Sequence, residues 1–236
     1  MHRILIRLFN RSRAFFSSSL FRLTVVCLVF TVASCKTGDA VAPDTSTSDT
    51  IIGWGDSLTQ GVGGTPYLTI LEQMTGYKTI NEGVAGQTSQ QIAKRMLAAT
   101  DKHSYNTIIW AGRNNYYELE NVKANIAAMV AALGHKRYLV IGIVNNIAPN
   151  EQVFGQGHER ITQLNNELNR IYGDHFVNIH TYLLAQYDRN SARDIIDHTD
   201  DVVPTSLRSD ELHLNTSGYT KVAQRINQSL KILTNR

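Results

Sequence analysis

The chain of 236 residues, 42% hydrophobic and 18% charged, is long enough for one sizeable core and short for two ordinary domains. Its formal net charge of +3 does not describe a folded face, because Arg3, Arg7, Arg11, Arg13 and Arg22 all precede Cys35 and no Asp or Glu does. Taking those five from the 23 Lys and Arg leaves 18 against 20 Asp and Glu, which excludes a nucleic-acid partner argued from charge.

The first element is not part of a fold. Arginines up to Arg22 are followed by the apolar stretch "LTVVCLVFTVA", Leu23 to Ala33, and then by small residues, the pattern of a secretory signal over residues 1–34. The apolar stretch falls short of the about 20 residues that a membrane-spanning helix needs. Its ending, "VASC" from Val32 to Cys35, resembles the bacterial lipoprotein signal, in which the cysteine becomes the lipid-modified first residue of the mature protein. That resemblance implies export to the bacterial cell envelope and a lipid anchor at Cys35 in a membrane, the outer membrane on its periplasmic or surface side. Cys27 and Cys35 are the only cysteines, so the part beyond them has no disulfide to form. After Cys35, the polar, small-residue run "KTGDAVAPDTSTSDT" from Lys36 to Thr50 completes a lipidated, flexible tether over 35–50, ahead of a domain over 51–236.

Short β-branched runs then alternate with helical patterns. Strands are expected over Thr50–Gly55, Lys78–Gly83, Thr107–Gly112, Arg137–Val144 and Phe176–Tyr182. Helices are expected over Tyr67–Thr75, Ser89–Ala99, Val122–Leu133, Glu159–Tyr172 and Thr216–Leu233. Strict alternation of this kind predicts an α/β fold with a parallel sheet covered on both faces. Ligands bind such sheets at the C-terminal ends of the strands. Three stretches fall there: "GDSLT" (Gly55–Thr59), "NEGVAGQTS" (Asn81–Ser89) and "AGRNNYY" (Ala111–Tyr117).

A serine is a weak nucleophile until a base takes its proton, and the base needs a partner that fixes its tautomer. "SDELHLNTSGY", Ser209 to Tyr219, offers Asp210 and His213 three residues apart, ahead of a helix with Asn215, Thr216 and Ser217 as cap candidates. Ser57 completes a candidate triad. The other histidines, His103, His135, His158, His175, His180 and His198, lack a partner motif, and no Cys/His cluster suggests a metal. The Gly-x-Ser-x-Gly pattern of the α/β-hydrolases is absent around Ser57.

These blocks resemble, in order, those of the GDSL or SGNH hydrolases, serine esterases and acylhydrolases, over nearly all of the chain after the tether. The resemblance implies a three-layer α/β/α sandwich with a central, mainly parallel, five-stranded flavodoxin-like sheet. It places the catalytic groups on Ser57, His213 and Asp210, and the oxyanion hole on the Ser57 N–H, the Gly86 N–H and the Asn114 side chain. It calls for no cofactor and no metal. Asn115 departs from the family's Gly-x-Asn-Asp block, where Asp organises the loop. The expected substrate is an O-acyl ester, with a short, acetyl-like acyl group on a glycan or similar acceptor favoured by short loops and by the polar segment from Tyr187 to Ser209. The alternatives are a lysophospholipase or lipase, an acyltransferase, and a carbohydrate-binding lipoprotein without turnover.

Overall fold

The computed structural model describes residues 48–234. The signal segment, Cys35 and most of the tether lie outside the described residues. The central sheet is formed by β1 (Thr50–Gly55), β2 (Lys78–Gly83), β3 (Asn106–Trp110), β4 (Tyr138–Ile141) and β5 (Phe176–Val177). All pairings are parallel, in the order β2-β1-β3-β4-β5. The helices are α1 (Ser57–Gln60), α2 (Tyr67–Thr75), α3 (Ser89–Ala98), α4 (Leu119–Leu133), α5 (Gln156–Tyr172), α6 (Ile179–Leu184), α7 (Ala192–Thr199), α8 (Thr216–Gln228) and α9 (Leu230–Thr234).

Alternation along the buried strands divides the core into two layers, because successive side chains leave a strand on opposite faces. Ile51, Ile108, Trp110, Leu139 and Ile141 face one layer, closed by α2, α8 and α9. Ile52, Trp54, Ile109 and Val140 face the other, closed by α3, α4 and α5. The three-layer α/β/α sandwich expected from the sequence is therefore the observed architecture.

Several element boundaries differ from expectation. The run Phe176–Tyr182 gives only a two-residue strand, and Ile179–Leu184 is helical. Asn178 ends the strand by accepting the Thr181 N–H in its side chain, an N-cap that outweighs the β-branched composition. Strand β4 stops at Ile141, where the Asn165 side chain takes over the Ile143 N–H and C=O. The last helix breaks at Ser229 into α8 and α9. The segment Tyr187–Ser209, expected as a polar loop toward substrate, contains α7 instead, and its Asp194 and Asp197 are turned inward.

Candidate active site

Strand β1 ends at Gly55, and the next residue, Asp56, caps the short helix α1: its Oδ1 accepts the Leu58 N–H at 3.0 Å. Ser57 is thus the first helical residue, and its N–H is one of those a helix start leaves without an intrahelical acceptor. Ser57 is 6% exposed, almost buried at the end of the strand that the sequence expectation put it on. His213 reaches it with Nε2 at 2.9 Å from Oγ, while Nδ1 lies 2.8 Å from Asp210 Oδ2. The sequence-derived triad is therefore one continuous hydrogen-bonded chain.

Asp210 is half-exposed, yet held. Partial burial would raise its pKa, but the N–H groups of Leu212 and His213, donating to Oδ1 at 2.8 and 2.6 Å, and the imidazole on Oδ2 together bring it below the ordinary carboxylate value. An acceptor so supported stays ionised and fixes which imidazole nitrogen carries hydrogen.

The hairpin that carries Asp210 and His213 closes at the Arg208–Leu214 bridge, with the Ser209 N–H donating to the His213 C=O at 2.9 Å. Arg208 fastens it from below. Its Nε donates to Val203 C=O, Nη1 to Asp210 C=O, and Nη2 to both Asp197 and Thr205. Asp197 is 1% exposed and also receives Arg193 and the Thr205 N–H. Asp194 holds Ser206 in the same manner. Nothing in the sequence around "SLRSDELH" marks Arg208 for this role; the arginine becomes meaningful only once α7 is seen beneath it.

On the other side, the segment after α1 abuts this hairpin backbone to backbone. A Cβ on Gly63 would lie 2.7 Å from the Leu214 carbonyl oxygen, and one on Gly64 2.5 Å from the Thr216 nitrogen. The glycine-rich run "GVGG" therefore lets Ser57 and His213 meet. Tyr219 OH, donating to Val62 C=O at 2.8 Å, and the Thr65 N–H, donating to Thr216 Oγ1 at 3.0 Å, complete the seam.

Asn114 donates from Nδ2 to Gln87 C=O at 2.9 Å and to Asp56 Oδ2 at 3.5 Å, so it touches the neighbours of both Gly86 and Ser57. Gly86 has φ +76° in open space. Asn115, which stands where the related block has Asp, is itself bonded within the loop: Oδ1 accepts the Ser89 N–H, and Nδ2 donates to Ser89 Oγ and Glu118. Sequence reasoning missed the buried pair beneath them, Arg113 with Glu151 at 2.9 Å, where Glu151 also accepts from Tyr116 OH and the Asn146 N–H. This pair locks the loop after β3 to the loop after β4.

The remaining histidines among the described residues are structural. His103, His135 and His175 bond to backbone carbonyls, His158 pairs with Asp201, buried His180 meets Asn145 and the Asp201 C=O, and His198 stacks on Tyr187. Trp54, Trp110 and Tyr116 belong to the core; Tyr117 is exposed.

Residues 54–221 match the family model described as GDSL-like Lipase/Acylhydrolase family. Among solved structures, the chain is similar to the psychrotrophic esterase EstA from Pseudoalteromonas sp., with 17% identity and TM-score 0.57 over 80% of this chain and 100% of that one. It is also similar to the acetylxylan esterase Axe2 from Geobacillus stearothermophilus, with 15% identity and TM-score 0.56 over 78% and 95% of the two chains. A family 3 carbohydrate esterase from Clostridium thermocellum gives 19%, 0.55, 78% and 96% in the same terms. No curated protein sequence matches.

Arg208→Ala should loosen the Asp210–His213 contact, so that the downfield Nδ1 proton resonance of His213 broadens or disappears in the 1H NMR spectrum, while Arg208→Lys retains part of it. An unaltered resonance in a folded Arg208→Ala protein would show that the hairpin holds without the guanidinium.

Asp56 makes a second, independent prediction. Burial pushes its pKa from 3.8 up to about 6, against the Leu58 N–H and the Arg113 and His213 charges, which lower it. Because the folded state resists its ionisation, stability declines as pH rises from about 4 and levels off above about 6, by up to about 3 kcal/mol for a shift of two units. Asp56→Asn should remove this decline. Urea unfolding from pH 4 to 7 measures it, and an identical pH dependence in both proteins would refute the assignment.

Proposed function

The chain belongs to the GDSL-like lipase/acylhydrolase family and is a hydrolase of carboxylic esters, and we propose that it removes short acyl groups, acetyl above all, through Ser57, His213 and Asp210. The observation that carries this reading is the unbroken chain from Asp210 Oδ2 through His213 to Ser57 Oγ at 2.8 and 2.9 Å.

In the proposed mechanism His213 Nε2 takes the proton from Ser57 Oγ as the oxygen attacks the ester carbonyl, and ionised Asp210 supports the resulting imidazolium. The developing oxyanion is held by the Ser57 N–H, the Gly86 N–H and Asn114 Nδ2. Asn114 can turn one amide hydrogen toward the oxyanion by releasing Asp56, the longer of its two contacts at 3.5 Å. The tetrahedral intermediate collapses, the alcohol leaves with the proton from His213, and an acyl-Ser57 remains. Water, deprotonated by His213, then releases the acid and restores the serine. None of these steps requires a cofactor.

The preference for a short acyl group no longer rests on the segment Tyr187–Ser209, whose carboxylates face inward. It rests on the connection between α1 and α2, which is consumed in contact with the His213 hairpin and leaves no apolar insertion there for an acyl chain. The same fold accommodates an acetylxylan esterase.

Turnover of p-nitrophenyl esters from acetate to decanoate, with labelling by a fluorophosphonate, tests the proposal. The expected result is highest kcat/KM for the shortest esters, labelling at Ser57, and a loss of several orders of magnitude in kcat for Ser57→Ala. A steady rise of kcat/KM toward decanoate would overturn the short-acyl preference, and a Ser57→Ala protein keeping more than about a tenth of kcat would overturn the nucleophile.

The same reading extends to location: the enzyme is exported, processed ahead of Cys35 and anchored in the bacterial envelope by acyl chains on that residue. The motif "VASC" behind an apolar stretch supports it. Mass spectrometry of the mature N-terminus should find lipidated Cys35, and Cys35→Ser should abolish lipidation. An unmodified Cys35 would refute it.

A further inference from the structure

Phe154 combines two unfavourable properties. Its φ is +71°, a left-handed conformation that suits glycine and strains a residue with a bulky side chain, and it is 92% exposed, so no packing among the described residues offsets the strain. The glycine of this turn stands one position later. A Cβ on Gly155 would lie 2.2 Å from the Asn150 carbonyl oxygen, so glycine is required there for space and the strained angle falls on Phe154.

The angle is held from both sides. The Val153 N–H donates to Asp200 C=O at 3.0 Å, and the Gly155 N–H donates to Gln152 C=O at 2.8 Å. Ahead of this turn, the Ile147 N–H donates to Glu211 C=O at 3.1 Å, which joins the segment to the hairpin of Asp210 and His213. Asn150 donates from Nδ2 to Tyr117 OH at 2.5 Å, and Tyr117, 52% exposed, follows Asn114 by three residues. Two exposed aromatic residues thus belong to neighbouring strand-end segments, Tyr117 after β3 and Phe154 after β4, which the Asn150–Tyr117 hydrogen bond joins.

We propose that Phe154 is the stacking platform of a subsite for a neutral sugar ring, through which the enzyme recognises acylated glycans. This rests on the esterase reading and deepens it. The chemistry around the ring selects the ligand. Between Gly142 and Gly155 the only charged residue is Glu151, and it is buried on Arg113; across the turn stand Asp200, whose C=O accepts the Val153 N–H, and Asp201, which is paired with His158, so the charge beside the ring is acidic or already matched. The polar residues nearby in sequence are the amides Asn146, Asn150, Gln152 and Gln156. A pyranose presents an apolar C–H face to an aromatic ring and hydroxyls to neutral amides. A lipid surface would call for several apolar or cationic side chains together, and a polyanion for exposed arginine or lysine.

The test measures binding of unacylated xylotetraose, cellotetraose and chitotetraose to the mature protein by isothermal titration calorimetry. These ligands contain no scissile O-acyl ester, so the result does not depend on the triad; failure of the esterase reading would instead show with nitrophenyl acetate. At least one tetraose should bind, and Phe154→Gly should weaken it about tenfold, the scale of one aromatic contact. Phe154→Trp should retain binding. Because glycine accepts the φ, Phe154→Gly should melt at the same temperature or higher. In turnover, the ratio of kcat/KM for an acetylated oligosaccharide to that for nitrophenyl acetate should fall about tenfold in Phe154→Gly, mainly through KM. No binding of any tetraose, equal binding by Phe154→Gly, or Phe154-dependent binding to phosphatidylcholine vesicles in place of sugar would each overturn the proposal.

Discussion

The hydrogen bond between Ser57 Oγ and His213 Nε2 joins residues 156 positions apart, and much of the chain between them serves to make that contact possible. Closing so long a loop costs entropy that one hydrogen bond cannot offset. The contact is instead imposed by larger surfaces. The strands fix where β1 ends, and α8 packs on the same face of the sheet as α2, which brings the residues just before α8 to the residues just after β1. Within that frame the final approach is steric. Glycines at 63 and 64 let two backbones touch where any side chain would hold them apart.

Two aspartates beside Ser57 and His213 are kept in opposite electrostatic conditions. Asp56 is buried and resists ionisation, with only one backbone N–H on its Oδ1 and a long contact from Asn114 on its Oδ2. Asp210 is more exposed and accepts two backbone N–H groups as well as the imidazole, so its charged form is favoured. The distinction follows first from burial, which is nearly complete at Asp56 and slight at Asp210, and then from the number of donors each carboxylate accepts. It also separates their work: Asp210 is suited to carry a full negative charge opposite an imidazolium, whereas Asp56 is suited to shape, capping the turn that presents Ser57.

The parallel sheet and the positions of Ser57, Asp210 and His213 were legible because each is written locally, in apolar runs of strand length and in short motifs; the order of the strands was not, since it depends on which strands pair across the chain. What escaped was nonlocal. Asn178 turns an apparent strand into α6 with one side-chain bond, and α7 carries inward-facing Asp194 and Asp197 whose partners, Ser206 and Arg208, lie 12 and 11 residues away. Acidic residues in a polar stretch read as solvated until those partners are placed. Phe154 was invisible for a related reason, since a φ value belongs to the turn and not to the residue type.

Asn115 shows how such nonlocal partners also explain a departure from the family pattern. Where the related block has Asp, this chain has an amide whose Nδ2 faces the Glu118 carboxylate at 3.2 Å and Ser89 Oγ at 3.0 Å. An aspartate there would set two carboxylates against each other and lose both donors, while the Oδ1 that accepts the Ser89 N–H would be unchanged. The amide therefore keeps the bond that ties the loop after β3 to the start of α3 and converts a repulsion into an attraction. Asn125, which also donates to Ser89 Oγ, closes the same cluster from α4. With its neighbour anchored on that side and Arg113 anchored on Glu151 on the other, Asn114 is held between two fixed residues. Its amide can turn between Asp56 and a bound oxyanion while its backbone stays in place.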